Sequence, residues 1–375
     1  MKKKVKISQV DTLFSEKSYP IEFLFYFKEG FDTKKIRAVL RKLSSVFWPM
    51  FGEYKDGFIS FEKYREEECY DEEVIPKKFD IHEIEEDRFD VYSRYCLPDL
   101  KRLFFLKVKQ FTNGTILIPK MNHLAGDGYS YFYFLSVLAM LSQKTLFFFK
   151  SFWVQFFAKP CHRRTILKDF FFKGIELKPP LQKNRLTIEF EEIPRIDVKS
   201  MIKKVFSSDN LRVSTNDILS AMALKKIVGI QSEFFGEKVN LTIPIDVRRQ
   251  VKEYGRRFFG NGIMLYTLKL KKEYIKNSPA EKIAKKIRKS MPSVSKEAYI
   301  KYLTTLEEQI SPEKPDGFIP FDPRHGCLVT NISRLPVNNL NFGTGSPELA
   351  IPLSIEKNSI AILTKDKNYI LRFVY

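Results

Sequence analysis

Cysteine is scarce in this chain of 375 residues: Cys69, Cys96, Cys161 and Cys327 lie far apart, with no C-x-x-C pair among them. That spacing excludes a disulfide framework and suits a reducing, intracellular setting, with buried free thiols as the plain reading for all four. Histidine also numbers four, and without an H-E-x-x-H or Cys/His cluster a zinc site is not expected. No G-x-S-x-G elbow offers a serine nucleophile. The basic start MKKKVKISQVDTLF has no apolar stretch and does not read as a signal peptide. Gly and Pro are modest at 16 and 19, and with 14% aromatic residues they argue against a disordered or low-complexity chain. A bilayer-spanning apolar run is missing too. The nearest stretch, TLFFFKSFWVQFFAKPCHRR from Thr145, is too short and is broken by Lys150, Gln155 and Lys159.

Basic charge, by contrast, is in excess, at a formal net +19. The lysines and arginines are dispersed, and no zinc-finger spacing, RNP-type aromatic motif or helix-turn-helix pattern accompanies them, so nucleic acid is not the expected partner. A solvated lysine-rich surface that assists capture of a phosphate-bearing small molecule fits better. Within the broken apolar stretch, Phe149, Phe152, Trp153, Phe156 and Phe157 recur at helical spacing. Such a stripe packs on a core, lines an acceptor pocket or lies in a lipid interface, and packing against protein is the default.

With 44% hydrophobic residues the chain can bury a sizeable core, and its length favours two domains. Strand-like runs at Ile21 to Phe27, Phe58 to Phe61, Leu103 to Lys109 and Thr115 to Met121 are joined by helical patterns from Asp32 and after Gly128. Breakers between Lys159 and Pro180 mark a crossover. Beyond it come a strand at Leu186 to Phe190, a helix near Val198 to Phe206, and a second helix capped by Ser214-Thr215-Asn216-Asp217. Strands follow at Lys238 to Ile243 and Gly262 to Leu270, then a charged helix near Pro279 to Lys289 and closing strands at Leu349 to Ile355, Ser359 to Leu363 and Tyr369 to Val374. The pattern reads as an α/β (α+β sandwich) fold in two halves, 1–165 and 186–375, joined by a linker over 166–185.

The residues with most to say are His123, Asp127 and Gly128, in the pattern H-x-x-x-D-G between a strand-like run and a long apolar run. An imidazole at a strand end facing a cleft is a natural general base. Asp127 reads as a second catalytic carboxylate or as the N-cap of the following helix, and its place just before that helix favours the cap. Gly126 and Gly128 are expected to permit backbone angles that other residues resist. Without a serine nucleophile, the simplest chemistry is direct acyl transfer with no covalent acyl-enzyme.

H-x-x-x-D-G resembles the motif of the CoA-dependent acyltransferase superfamily, which includes the BAHD enzymes. Three further matches appear in family order. LSSVFWPMFGEY from Leu43 looks like an early family segment, and IPIDVRRQVKEYGRRFFGNGI carries Asp246, Arg248, Gly260 and Asn261 in the D-x-R…G-N block. VTNISRLPVNNLNFGTG resembles the block ending in the BAHD D-F-G-W-G motif, with Asn341 in place of Asp and Thr344 in place of Trp. Asn122 stands where condensation domains carry a second histidine, which points away from peptide-bond condensation.

The resemblance implies two chloramphenicol-acetyltransferase-like domains with the active site in a channel between them. It implies a catalytic set of His123 as base, Asp127 turned away to pair with Arg248, and Thr330 as an oxyanion hydroxyl. Ser214, Thr215 and Asn261 are implied near the pantetheine arm, and Gly128, Arg248, Asn341 and Gly343 as structural support. The expected protein is an acyltransferase that takes acyl-CoA and a small alcohol or amine, uses no metal, and works as a cytoplasmic monomer. Two alternatives stay open: a non-catalytic scaffold, and a lipid-directed enzyme docking through Phe149, Phe152, Trp153 and Phe156.

Overall fold

The computed structural model describes residues 2–14, 20–30, 32–81, 95–97, 102–143, 159–162, 186–309, 321–337 and 340–375. The chain opens with a short strand, β1 (Lys3–Lys6), and a 3-10 turn over Asp11–Leu13. β2 (Ile21–Phe27) is buried on both faces, which is why IEFLFYF is apolar throughout instead of alternating. α1 (Thr33–Leu43) starts at Asp32, whose carboxylate accepts from the Lys35 amide, and buries Ile36, Val39, Leu40 and Leu43 at helical spacing. β3 (Glu53–Lys55) and β4 (Phe58–Phe61) join β1 in a three-stranded sheet of order β1-β4-β3.

β5 (Tyr70–Val74), β6 (Phe104–Phe111) and β7 (Gly114–Met121) pack beside β2. β7 is buried along its whole length, and its ladder with β2 lapses at Phe23 and Leu24, opposite Pro119 and Ile118, because proline brings no N–H. α2 (Gly128–Ser142) is apolar on every side and mostly buried, as a helix of that composition must be. Phe132 meets Phe23 and Phe25 edge-on beneath it, and Phe134 meets Phe47, Phe51 and Phe104.

In the second half, β8 (Ile188–Pro194) leads into α3 (Arg195–Asp209) and α4 (Thr215–Ile230). β9 (Lys238–Asp246) and β10 (Ile263–Lys271) pair antiparallel, followed by α5 (Lys272–Asn277), α6 (Ala280–Ser290) and α7 (Lys296–Gln309). β11 (Gly326–Asn331), β12 (Leu349–Pro352), β13 (Ser359–Lys365) and β14 (Asn368–Val374) complete the chain. The six-stranded sheet runs β10-β9-β11-β13-β14-β8, with β11 parallel to both neighbours. Its aliphatic core is closed by α4 and α6.

The second half also builds part of the first. β12 adds an edge to the five-stranded sheet, β12-β2-β7-β6-β5. Val247, Val251, Tyr254, Phe258 and Phe259, together with Tyr299, Leu303 and Leu306 of α7, sit in the aromatic core of the first half. Cys161 bridges to that segment: its amide donates to the Arg257 carbonyl at 2.7 Å, and its carbonyl accepts from the Phe259 amide. The chain between β9 and β10 therefore lies on a seam between the two cores, and His123 faces that seam. Among the described residues no helix is long and apolar enough to cross a membrane.

Candidate active site

β7 ends at Met121, and the next four residues make a side-chain-supported turn. The Asn122 side chain accepts from the Leu124 amide at 2.9 Å, its carbonyl accepts from the Ala125 amide, and the His123 carbonyl accepts from the Gly126 amide. The imidazole is partly buried. Phe14, from the N-terminal 3-10 turn, stacks on it with centroids 3.8 Å apart and planes 14° off parallel. The Asn261 side-chain oxygen lies 3.1 Å from His123 Nδ1. That amide has only one sensible orientation, because its Nδ2 donates to Asp11 Oδ1 at 2.8 Å and to the His123 carbonyl at 2.9 Å. With both acceptors on the nitrogen side, Oδ1 faces the ring, so Nδ1 carries the proton and Nε2 keeps its lone pair. Burial pushes the imidazole pKa below its ordinary 6.5, against the raising effects of Asp127, Asn261 and Asp11. At neutral pH the ring is uncharged.

Asp127 caps α2 and does not touch the ring. Its Oδ1 accepts from the Ser130 amide at 3.0 Å and from Arg248 Nη2 at 2.8 Å, and its Oδ2 accepts from the Gly262 amide at 2.9 Å. Arg248 Nη2 also donates to the Gly260 carbonyl at 3.0 Å and to Ser130 Oγ at 3.2 Å, and the guanidinium lies 4.5 Å from the Tyr129 ring centroid. Only 3% and 4% of the Arg248 and Asp127 side chains are exposed, so the ion pair is fully desolvated. Burial alone would raise the Asp127 pKa, but the Arg248 charge and the three hydrogen bonds outweigh it and hold the carboxyl below its ordinary 3.8.

The small residues here serve space. Gly126 was expected to supply an unusual backbone angle, yet neither it nor Gly128 has a positive φ. A Cβ on Gly126 would come within 2.8 Å of Ser130 Cβ, and one on Gly262 within 2.8 Å of the Arg248 guanidinium carbon. The requirement is close approach, between the turn and α2 at one position and between β10 and the arginine at the other.

The other expected residues form two further groups. Ser214 caps α4 in a capping box with Asp217, its Oγ accepting the Asp217 amide at 3.2 Å and donating to Oδ2, with Thr215 as the first helical residue. Thr330 lies near the end of β11, and the next residue, Asn331, donates to Asn216 at 2.8 Å, joining that strand end to the start of α4. Thr330 takes no part in the His123 hydrogen bonds, but the chain just beyond it brings Leu335 over Gly128 at the start of α2. Asn341 and Gly343 sit at the far end of α2, where Gln143 donates to the Asn341 carbonyl at 2.8 Å and Asn341 Oδ1 accepts from the Gly343 and Gly345 amides.

Asn261, expected near a pantetheine arm, is 1% exposed, and its side chain is taken up by the imidazole and Asp11. Asp11, Phe14 and Ser130 went unnoticed in the sequence. Asp11 and Asn261 are separated by 250 residues, and no local pattern marks the pairing. The aromatic stripe of Phe149, Phe152, Trp153 and Phe156 lies outside the described residues. Among the described residues no group of three or more His, Cys, Asp or Glu is arranged to hold a metal ion.

Comparison with solved structures places the fold. F. sporotrichioides TRI101 complexed with coenzyme A and T-2 superposes with a TM-score of 0.76 at 14% identity, covering 99% of this chain and 94% of that one. F. graminearum TRI101 complexed with ethyl coenzyme A gives 0.75 at 14% identity, covering 100% and 95%. Vinorine synthase gives 0.70 at 15% identity, covering 100% and 94%. The architecture is thus the chloramphenicol-acetyltransferase-like, two-domain α/β fold. Comparison with curated protein sequences returns no match. The Transferase family matches over residues 91–369, a span that takes in the His123 turn, the Arg248–Asn261 block and β11, and the chain belongs to that family, the BAHD acyltransferases.

Proposed function

We propose that the protein is an acyl-CoA-dependent acyltransferase that moves an acyl group from the thioester directly to a hydroxyl or amine, with His123 as the general base. One observation carries the reading: the Asn261 side-chain oxygen lies 3.1 Å from His123 Nδ1, an arrangement that puts the ring proton there and leaves Nε2 with its lone pair. Nε2 takes the proton of the acceptor O–H or N–H as that atom attacks the thioester carbonyl, and returns it to the departing thiolate. Asp127 keeps Arg248 and the Gly260–Gly262 segment in place, which sets Asn261 against the ring. Thr330 supplies the hydroxyl that steadies the developing oxyanion, and Ser214 and Thr215 lie along the pantetheine arm. Both TRI101 structures carry coenzyme A or its ethyl derivative, and the net charge of +19 suits a polyphosphate donor.

The departures at Asn341 and Thr344, which would favour a non-catalytic scaffold, lie at the end of α2 away from His123. The test is free-thiol release from acetyl-CoA and longer acyl-CoAs with a panel of alcohols and amines. His123→Ala should lower turnover about 10²–10⁴-fold with its melting temperature held. Full activity in that variant would overturn the reading.

A further inference from the structure

The first fourteen residues do more than add an edge strand. From the turn at Asp11–Leu13, two side chains reach the base by separate routes. Asp11 is completely buried; its Oδ2 accepts from the Ser8 amide at 2.8 Å and its Oδ1 accepts from Asn261 Nδ2 at 2.8 Å. Phe14 covers one face of the imidazole at stacking distance. An Asn carboxamide beside an imidazole can present either end, and the choice decides which ring nitrogen is protonated. Here the choice is made by the two acceptors on the nitrogen side of Asn261, Asp11 and the His123 carbonyl.

We infer that Asp11 and Phe14 are positioning residues for His123: Asp11, as an acceptor beside the His123 carbonyl, holds the orientation of the Asn261 amide and thereby the imidazole tautomer, and Phe14 fixes the plane of the ring. This rests on His123 acting through Nε2. Asp11 offers an acceptor to Asn261, so the amide oxygen is left to face Nδ1–H. An isosteric Asn at position 11 keeps one oxygen for the Ser8 amide and turns its NH₂ toward Asn261. Two NH₂ groups then face each other, and the Asn261 amide rotates to relieve them, giving up its donation to the His123 carbonyl; its nitrogen faces Nδ1, and the imidazole proton moves to Nε2, where it blocks proton abstraction. An Ala at position 11 removes one acceptor and leaves the His123 carbonyl as the other, so the amide keeps its orientation. The nearly isosteric substitution is therefore the more harmful one, the reverse of what a packing role predicts.

The experiment is long-range ¹H–¹⁵N NMR of ¹⁵N-histidine-labelled full-length protein, with His123→Ala assigning the His123 signals among the four histidines. Wild type should show a protonated Nδ1 and a bare Nε2. Asp11→Asn should exchange the two and lower thiol release toward the His123→Ala level, about 10²–10⁴-fold. Asp11→Ala should keep the wild-type tautomer and lose roughly tenfold, the equivalent of one hydrogen bond. Phe14→Leu should keep the tautomer and lower kcat with KM unchanged. Circular dichroism melts check that each variant folds. A wild-type proton on Nε2 overturns the inference whatever the variants do, as does an Asp11→Asn protein with the wild-type tautomer. So does a Phe14→Leu protein with unchanged kcat. The tautomer is read without substrate, so a wild-type tautomer as inferred, together with no turnover of any acyl-CoA, would reject the proposed function and leave the positioning scheme standing.

Discussion

The two ends of α2 make an instructive pair. Each carries a side chain from a recognisable motif, and each ties the helix to the second half of the chain. At the amino end Asp127 lies buried against Arg248, with every oxygen engaged and the positive end of the helix behind it. At the carboxyl end Asn341 orders a glycine-containing loop through two backbone amides while its carbonyl accepts from Gln143. Fifteen residues separate the ends, about 22 Å at 1.5 Å per residue. The first end demands a charge because the buried guanidinium has otherwise only the half-exposed Asp246, 3.2 Å away, to neutralise it. The second demands only an acceptor, which an amide oxygen supplies as well as a carboxylate. The departure from the family's Asp at position 341 thus falls where the local chemistry tolerates it.

The sharpest way to break this contrast is to truncate both side chains. Asp127→Ala leaves the buried Arg248 charge with only the half-exposed Asp246, 3.2 Å away, and should cost about 3 kcal/mol of stability, the lower end expected when a buried pair is broken. Asn341→Ala should cost about 1 kcal/mol, the worth of ordinary hydrogen bonds at a half-exposed loop. Urea unfolding of the two variants beside wild type gives both numbers. An Asn341→Ala loss equal to or larger than that of Asp127→Ala would remove the distinction.

Acid should act at the amino end, where His123 and Asp127 titrate, and not through the uncharged Asn341 amide. His123 has its folded pKa pushed below 6.5 by burial, so the unfolded chain takes up a proton first as the pH falls. Its stabilising contribution is complete above 6.5 and fades as pH drops below that value toward the folded pKa. Asp127 behaves the same way lower down: its contribution is present above 3.8 and is lost as pH falls through its depressed folded pKa. If His123 is the base, as proposed, the acidic limb of the rate profile is centred below pH 6.5, where the imidazole takes up its proton. A limb centred above 6.5 would contradict the lowered imidazole pKa.

How much of this was readable in the chain depends on how local each signal is. The α2 start was legible because Asp127 caps its own helix, and the Ser214–Asp217 box because both partners lie within four residues. The strands at β2, β7, β9, β10, β13 and β14 announced themselves through apolar runs bounded by turns. β11 was missed: Gly326–Asn331 is a short central strand, paired in parallel on both sides, with no hairpin to mark it. α7 was missed although Tyr299, Leu303 and Leu306 lie on its buried side, because its apolar positions are diluted by charge. The placing of β12 on the first-half sheet and of Asp11 behind Asn261 depends on contacts hundreds of residues apart. Periodicity and capping rules carry no information over that range.

The smallest effect discriminates most finely. Asn341→Asp restores the family's acidic letter, and if position 341 served an ion pair the change would be felt strongly. As built, the new carboxylate would accept from the same two amides, Gly343 and Gly345, at an edge partly open to water. Charge-assisted bonds are stronger than neutral ones, but solvation of an accessible carboxylate offsets most of that gain. The stability change should stay within about 0.5 kcal/mol, and thiol release should not move. A larger stabilisation, joined to faster turnover, would mean that the acidic residue acts on the distant His123 through α2, and that the two ends of the helix are coupled instead of independent.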